Sequence, residues 1–338
     1  MKIFVTGGTG YIGSHTVVEL QKNGYDVIIA DNLVNSSLDV LDGIEKITGI
    51  RPDFEEIDLT DREVTRDFFA RHSDIRAVIH FAALKAVGES VNKPLEYYFN
   101  NLNSLMNVLT CMREFRVPNL VFSSSCTVYG QADVLPVTEK TPRHEAESPY
   151  GNTKVMSEDI IRDLMRVEPD MRALALRYFN PIGAHPTAFI GELPNGVPNN
   201  LIPYLTQTAI GIREQLSVFG DDYNTPDDSP LRDYIDVVDL AQAHVVAIRR
   251  LLEGKNKENY EFFNIGTGKA LSVLEIIHAF ERATGVKVNY KIVGRRAGDI
   301  EKVWADTTLA NNELGWKAVT PIEETLANAW KWQRTLDK

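Results

Sequence analysis

Short apolar runs recur through the first half of the chain at residues 3–6, 26–31, 77–81, 119–124 and 173–178. Runs of this length with no polar alternation predict strands covered on both faces. Between them, residues 11–23 (closed by Gly24), 61–72, 95–115 and 150–167 carry apolar positions three or four apart, the spacing of helices with one buried face. Strands alternating with helices predict parallel βαβ units, so the expected class is α/β, a doubly wound parallel sheet with helices on both sides.

The texture changes after residue 180. Pro181, Pro186, Pro194, Pro198 and Pro203, with Gly183, Gly191 and Gly196, interrupt any long regular element. At 338 residues the chain exceeds the usual single-domain size. The expected division is a nucleotide-binding domain over 1–180 and a smaller substrate-binding domain over 181–338. Strand-like runs at 234–237 and 262–265 predict that part of the second half, about 234–265, crosses back to the first. Residues 322–336 read as a closing helix.

Composition removes several classes of function. The formal charge is −11, and the lysines and arginines are scattered, so no basic face awaits a nucleic-acid backbone. Cys111 and Cys126 are the only cysteines, too few for a disulfide framework and in no metal-ligand spacing, so no metal is expected. The opening Met1-Lys2 runs straight into Ile3-Phe4-Val5 and then glycines, unlike a signal peptide, and no apolar stretch reaches membrane length. The expectation is a cytoplasmic protein without a membrane partner.

The candidate chemistry begins at Gly7, Gly10 and Gly13, between the first strand and the first helix. Glycines there permit a tight turn and let a pyrophosphate approach the helix N-terminus, the Rossmann-type arrangement. Asp31 closes the second strand, where a carboxylate accepts ribose hydroxyls and repels a 2′-phosphate, which points to NAD rather than NADP. Asp58, at the end of the expected third strand, suits either the adenine amino group or a turn cap.

Tyr150 and Lys154 stand four apart at the start of a helix, hence on one face. A free phenol titrates near pH ~10, and bringing it to about 7 needs roughly 4 kcal/mol of preferential stabilisation of the phenolate. An ammonium at Lys154 and a cationic nicotinamide are the expected sources. The strand at 119–124 runs into Ser123-Ser124-Ser125-Cys126-Thr127, so hydroxyls emerge at the carboxyl edge of the sheet, where open α/β folds bind ligands. Ser125 is the candidate for bonding the reacting hydroxyl; Cys126 reads as a small filler.

With these residues in this order, the chain resembles the extended short-chain dehydrogenase/reductase superfamily and, within it, the UDP-glucose 4-epimerases. The specific stretches are residues 80–90, 122–130, 148–154 (Ser-Pro-Tyr-Gly-Asn-Thr-Lys), 177–185 (Arg-Tyr-Phe-Asn-Pro-Ile-Gly-Ala-His) and 198–201. The resemblance implies that Tyr11, Ile12, Asp31, Asn32, Asn35, Ser36, Asp58, Leu59, Phe81, Ala82, Lys85, Asn100, Ser125, Tyr150, Lys154 and Phe179 line the NAD site. It implies UDP-sugar contacts from Ser125, Tyr150, Asn180, Asn200, Leu201, Ser217, Phe219, Arg232, Arg296, Asp299 and Val303. Paired arginines suit a diphosphate.

The chain departs from the family pattern at Ser229-Pro230, Asp236 and Ala270, which alter loops rather than reacting groups. Val303 occupies the place of a residue that walls the sugar's 2-substituent, and its size leaves UDP-N-acetylhexosamines open as substrates. The implied activity is interconversion of UDP-galactose and UDP-glucose through a 4-keto sugar, by a homodimer built on residues 95–115 and 150–167. The nearest rival is a nucleotide-sugar 4,6-dehydratase, which needs an added acid and base where this chain has Cys126 and Thr127. A non-catalytic NAD sensor would have no need of Tyr150, Lys154 and Ser125 together.

Overall fold

The computed structural model describes residues 1–296 and 300–336. The first half runs β1 (Lys2–Thr6), α1 (Tyr11–Lys22), β2 (Asp26–Asp31), α2 (Asp39–Thr48), β3 (Asp53–Glu56), α3 (Arg62–Arg71), β4 (Ile75–His80), α4 (Val87–Asn92), α5 (Pro94–Glu114), β5 (Asn119–Ser125), α6 (Pro149–Val167) and β6 (Arg172–Tyr178). The second half contributes α7 (Leu201–Ala209), α8 (Val237–Leu252), β7 (Tyr260–Ile265), α9 (Val273–Thr284) and α10 (Ile322–Leu336), with short strands between them.

The seven strands form one parallel sheet in the order β7-β6-β5-β4-β1-β2-β3. Successive side chains of β1 show why both faces are covered. Ile3 and Val5 enter one core with Val17, Val18 and Leu20 of α1 and Leu240, Ile248 and Leu251 of α8. Phe4, between them, enters the other with Phe68 and Phe69 of α3, Leu105 and Met112 of α5 and Ile161 of α6. The fold is the Rossmann-type doubly wound α/β class that the sequence predicts. Chain order reverses between β1 and β4, and a crevice opens there at the carboxyl ends of the strands.

Beyond residue 180 a third core gathers Leu205 of α7, Phe280 of α9 and Leu326 of α10 with Ile182 and Ile202. Helix α8 packs on α1, and β7 extends the large sheet beside β6. The expected strand at 234–237 is three residues long, Tyr234–Asp236, and pairs with Asn180–Ile182. It stops there because the Asp236 side chain accepts from the Val238 amide and starts α8. The third strand likewise ends at Glu56, two residues before Asp58. Among the described residues no helix is long and apolar enough to cross a membrane, and no cluster of His, Cys, Asp or Glu could hold a metal ion.

Candidate active site

The turn after β1 is built by steric exclusion. Gly7 has φ +67°, and a methyl group on it would lie 2.9 Å from the Ala82 amide nitrogen in the loop after β4. On Gly13 a methyl would lie 2.3 Å from the Gly7 carbonyl oxygen. Any larger side chain would push strand, turn and helix apart. Helix α1 then begins at Gly10 with no side-chain cap and no acid in its first turn, so its amides and dipole face the crevice. Thr6 Oγ1 accepts from the amides of Phe81 and Ala82, which fastens the β4 loop against the same turn.

A cavity of about 770 Å³ opens over this turn. It is lined by every residue expected at the NAD site: Gly7, Gly10, Tyr11, Ile12, Gly13, Asp31, Asn32, Asn35, Ser36, Asp58, Leu59, Phe81, Ala82, Lys85, Asn100, Ser125, Tyr150, Lys154 and Phe179. Asp31 is not a bare carboxylate. It accepts from the Thr9 amide at 3.3 Å, the Leu33 amide at 2.9 Å and the Ser36 hydroxyl at 3.2 Å, which fixes its direction at the strand end. Asp58 both lines the cavity and caps the next turn, accepting from the amide and hydroxyl of Thr60. An acidic strand end, uncapped helix amides and a long concave wall fit an adenosine diphosphate.

The candidate reacting groups lie where α6 meets the carboxyl edge of β5. Ser148 caps α6 by accepting from the Gly151 amide at 3.1 Å, and Pro149 occupies its first position, so Tyr150 and Lys154 fall on the turns that face the sheet. Lys154 donates to the Ser123 carbonyl at 2.7 Å, and its nitrogen lies 5.9 Å from the centre of the Tyr150 ring. Burial lowers Lys154 to about 8, with the Glu158 carboxylate opposing that fall. Burial raises the Tyr150 phenol well above its usual range, and the hydrogen bond with Ser125 only partly offsets this.

The acidification expected of this phenol draws on Lys154 together with a cationic nicotinamide; the protein's own groups by themselves raise the phenol, burial being the largest cause. Cys126 is half-buried, and burial pushes its thiol up to about 12.

The residues expected to bind the UDP-sugar are less tightly gathered. Ser125, Tyr150, Asn180 and Asn200 line the cavity. Leu201 starts α7 and packs on the third core. Ser217 and Phe219 lie in the strand Leu216–Phe219, paired with Tyr290–Val293, and the Arg296 guanidinium sits over the Phe219 ring at 5.5 Å. Arg232 stands on Leu231–Arg232 with its guanidinium on the carbonyls of Leu231 and Glu301, within electrostatic reach of Cys126. Val303 pairs beside Arg232 and is 4 % exposed, packed with Val128, Tyr129 and Phe179. None of Leu201, Ser217, Phe219, Arg232, Arg296 and Val303 is part of the cavity wall, and Asp299 lies outside the described residues.

The structure also assembles residues that the sequence reading passed over. Glu192 lines the cavity, accepts from the Asn200 amide group at 2.5 Å and faces Lys85 at 3.6 Å. Tyr178 lines it too, and its phenol bonds Ser123. Asp233, fully buried, accepts from the amides of Thr267, Gly268 and Ala305 and from the Thr267 hydroxyl, holding two other segments beside Arg232. Glu158 was legible as the third member of an i, i+4, i+8 stripe with Tyr150 and Lys154; the others carry no local signal.

Residues 3–266 match the model of the NAD dependent epimerase/dehydratase family. The chain is 51% identical over 333 residues to a UDP-glucose 4-epimerase of Bacillus subtilis, covering 98% of this chain and 97% of the relative. It is 48% identical to the UDP-glucose 4-epimerase of Mus musculus, covering 98% and 96%. Among solved structures, a UDP-glucose 4-epimerase from Stenotrophomonas maltophila with bound NAD and formylated UDP-arabinopyranose superposes with a TM-score of 0.96 at 47% identity, covering 100% of this chain and 99% of that one. A Bifidobacterium longum enzyme in complex with NAD+ and UDP gives 0.94 at 45%, covering 99% and 98%. The chain thus belongs to the NAD dependent epimerase/dehydratase family.

Proposed function

We propose that this chain is an NAD-dependent UDP-glucose 4-epimerase, interconverting UDP-galactose and UDP-glucose through a 4-keto sugar. The observation that carries the reading is the meeting of Tyr150, Ser125 and Lys154 in the same cavity as the dinucleotide cradle. NAD, when bound, supplies the hydride acceptor and a positive charge beside the phenol. Gly7, Gly10, Gly13 and the start of α1 would hold its pyrophosphate, and Asp31 its adenosine ribose.

Tyr150 then removes the proton from the sugar 4-hydroxyl, directly or through Ser125, and returns it to the keto oxygen in the reverse half-reaction. Lys154 keeps positive charge near that oxygen while anchored on Ser123. Inversion requires the keto sugar to turn between the two half-reactions, so firm contacts belong on the UDP moiety and loose ones on the hexose. Asn180 and Asn200 on the cavity wall, with Arg232, Arg296, Ser217, Phe219 and Leu201 beyond it, are the proposed UDP contacts. Val303 is small enough to leave UDP-N-acetylhexosamines admissible.

We assign the cleft to two lobes, 1–180 and 181–338, with 234–265 returning to the first. A second copy of the chain is the proposed partner, seated on α5 and α6, where Leu95 and Phe99 are 78% and 62% exposed. Cytoplasmic location goes with the two unpaired cysteines. Incubation with UDP-galactose should yield UDP-glucose without added cofactor, and Tyr150→Phe should lower turnover at least about a hundredfold while retaining NAD. Full activity in that variant, or purified protein without dinucleotide, would overturn the assignment.

A further inference from the structure

Beneath the reacting groups lies a buried ion pair that the chemistry above leaves unused. Glu158, 1% exposed, stands one turn after Lys154 on α6. Its carboxylate accepts from the Ser124 hydroxyl of β5 at 2.6 Å and from the Arg177 guanidinium of β6 at 2.9 and 2.5 Å. Ser124 and Arg177 are register partners in the sheet, immediately before Ser125 and Tyr178. Arg177 is in turn fixed by the Tyr129 hydroxyl at 3.0 Å and lies 3.9 Å from the Phe262 ring centre, while Tyr129 donates to Asn264. One carboxylate therefore joins the helix carrying Tyr150 and Lys154 to the strand carrying Ser125.

We propose that Glu158 is a positioning residue for the reaction assigned above, setting the spacing of Tyr150, Lys154 and Ser125 and keeping Lys154 an ammonium by its opposite charge. The inference rests on the epimerase reading for its activity arm only. Glu158 is the charge that opposes the loss of the Lys154 proton. The other titratable groups packed round the site do not change charge between about pH 6 and 9. His80 of β4 is lowered to about 3 by burial and by Lys154. Burial raises Cys126 and Tyr178 of β6 to about 12, and raises Tyr97 of α5 and Tyr150 beyond that. Arg177, which stays charged, and Arg143 at 3.8 Å lie against the Glu158 carboxylate.

The test compares the NAD-loaded wild type with Glu158→Gln, with Glu158→Gln/Arg177→Met, which leaves no unpaired guanidinium, and with Ser124→Ala, which leaves the ion pair intact. Both charge variants should lose turnover at lower pH on the alkaline side than wild type. The ratio of wild-type to variant kcat should grow about tenfold per pH unit of displacement. Ser124→Ala should lower kcat, leave KM for UDP-galactose near wild type and leave the alkaline limb where it is.

A second readout needs no catalysis. Below about pH 8 the folded chain carries a buried ammonium at Lys154, a cost that removal of Glu158 enlarges; above it the folded chain sheds that proton in either protein. The gap in thermal midpoint between wild type and the charge variants should therefore narrow as pH rises through 8. A pH-independent gap with an unmoved alkaline limb, or Ser124→Ala at wild-type kcat, would overturn the proposal. A wild type that holds NAD yet converts no UDP-sugar would sink the epimerase reading while leaving the thermal comparison to decide the charge role.

Discussion

Gly13 has no room for a methyl group, since the nearest obstacle is the rigid carbonyl of Gly7 at 2.3 Å rather than a side chain that could swing aside. Gly13→Ala should destabilise the protein by about 1–3 kcal/mol and reduce retained NAD, measured by thermal unfolding and by the cofactor released on denaturation. A variant with unchanged midpoint and full NAD would show that the turn can relax. At the same scale, the spacing of Tyr150 and Lys154 revealed that phenol and ammonium share a helix face. It could not reveal the sign of the shift on the phenol. That sign depends first on burial and then on the ionisable groups of Tyr178, Cys126 and Tyr97, which oppose a phenolate and come from three other segments.

Among the elements, α8 carries a titratable start. Asp236 caps it through the Val238 amide and accepts from the Thr325 hydroxyl of α10, yet burial raises its carboxyl to about 6. The ordinary value is 3.8, so the folded state binds the extra proton between these two values, and stability falls as pH rises from 3.8 to 6 and then levels. The difference is at most about 3 kcal/mol at pH 7. Asp236→Asn keeps a good cap and should stabilise the protein at pH 7 but not at pH 4, read from denaturant midpoints at the two pH values. Equal effects at both would show that Asp236 stays ionised in the fold. The pattern of the sequence placed α1, α5, α6 and α10 to within a residue or two, because each has an apolar face of helical spacing. It overran the strand before α8, because a two-residue change of partner at Asp236 leaves no periodicity to read.

At the scale of the whole molecule, polar links among the described residues cross the cleft from Lys85 to Glu192, from the Asn195 amide group to the Val34 carbonyl and from the Tyr11 hydroxyl to the Gly183 carbonyl. Glu192 also orients Asn200, so it joins the wall over the cofactor to the start of α7. Glu192→Ala should speed loss of NAD on dilution several-fold with a small change in thermal midpoint, followed by nicotinamide fluorescence. A wild-type release rate would confine Glu192 to the surface. Such a link over an exposed side chain is individually weak, and its effect falls on the opening of the cleft rather than on the cores.

The alternation of buried strands and helices, the glycines that only a tight turn tolerates and the helical pairing of Tyr150 with Lys154 are local properties, so the order of residues determined the class of fold, the glycine turn after β1 and the shared helix face of Tyr150 and Lys154. Contacts between distant segments were decided only by the folded chain. These are the packing of β7 and α8 on the large sheet, the hold of Asp233 on two other segments and the union of Ser124, Glu158 and Arg177 under the site. The physical reason is that a side chain's burial and charge balance are set by whatever packs against it, and Ala305 lies 72 positions from the Asp233 carboxylate that accepts from its amide.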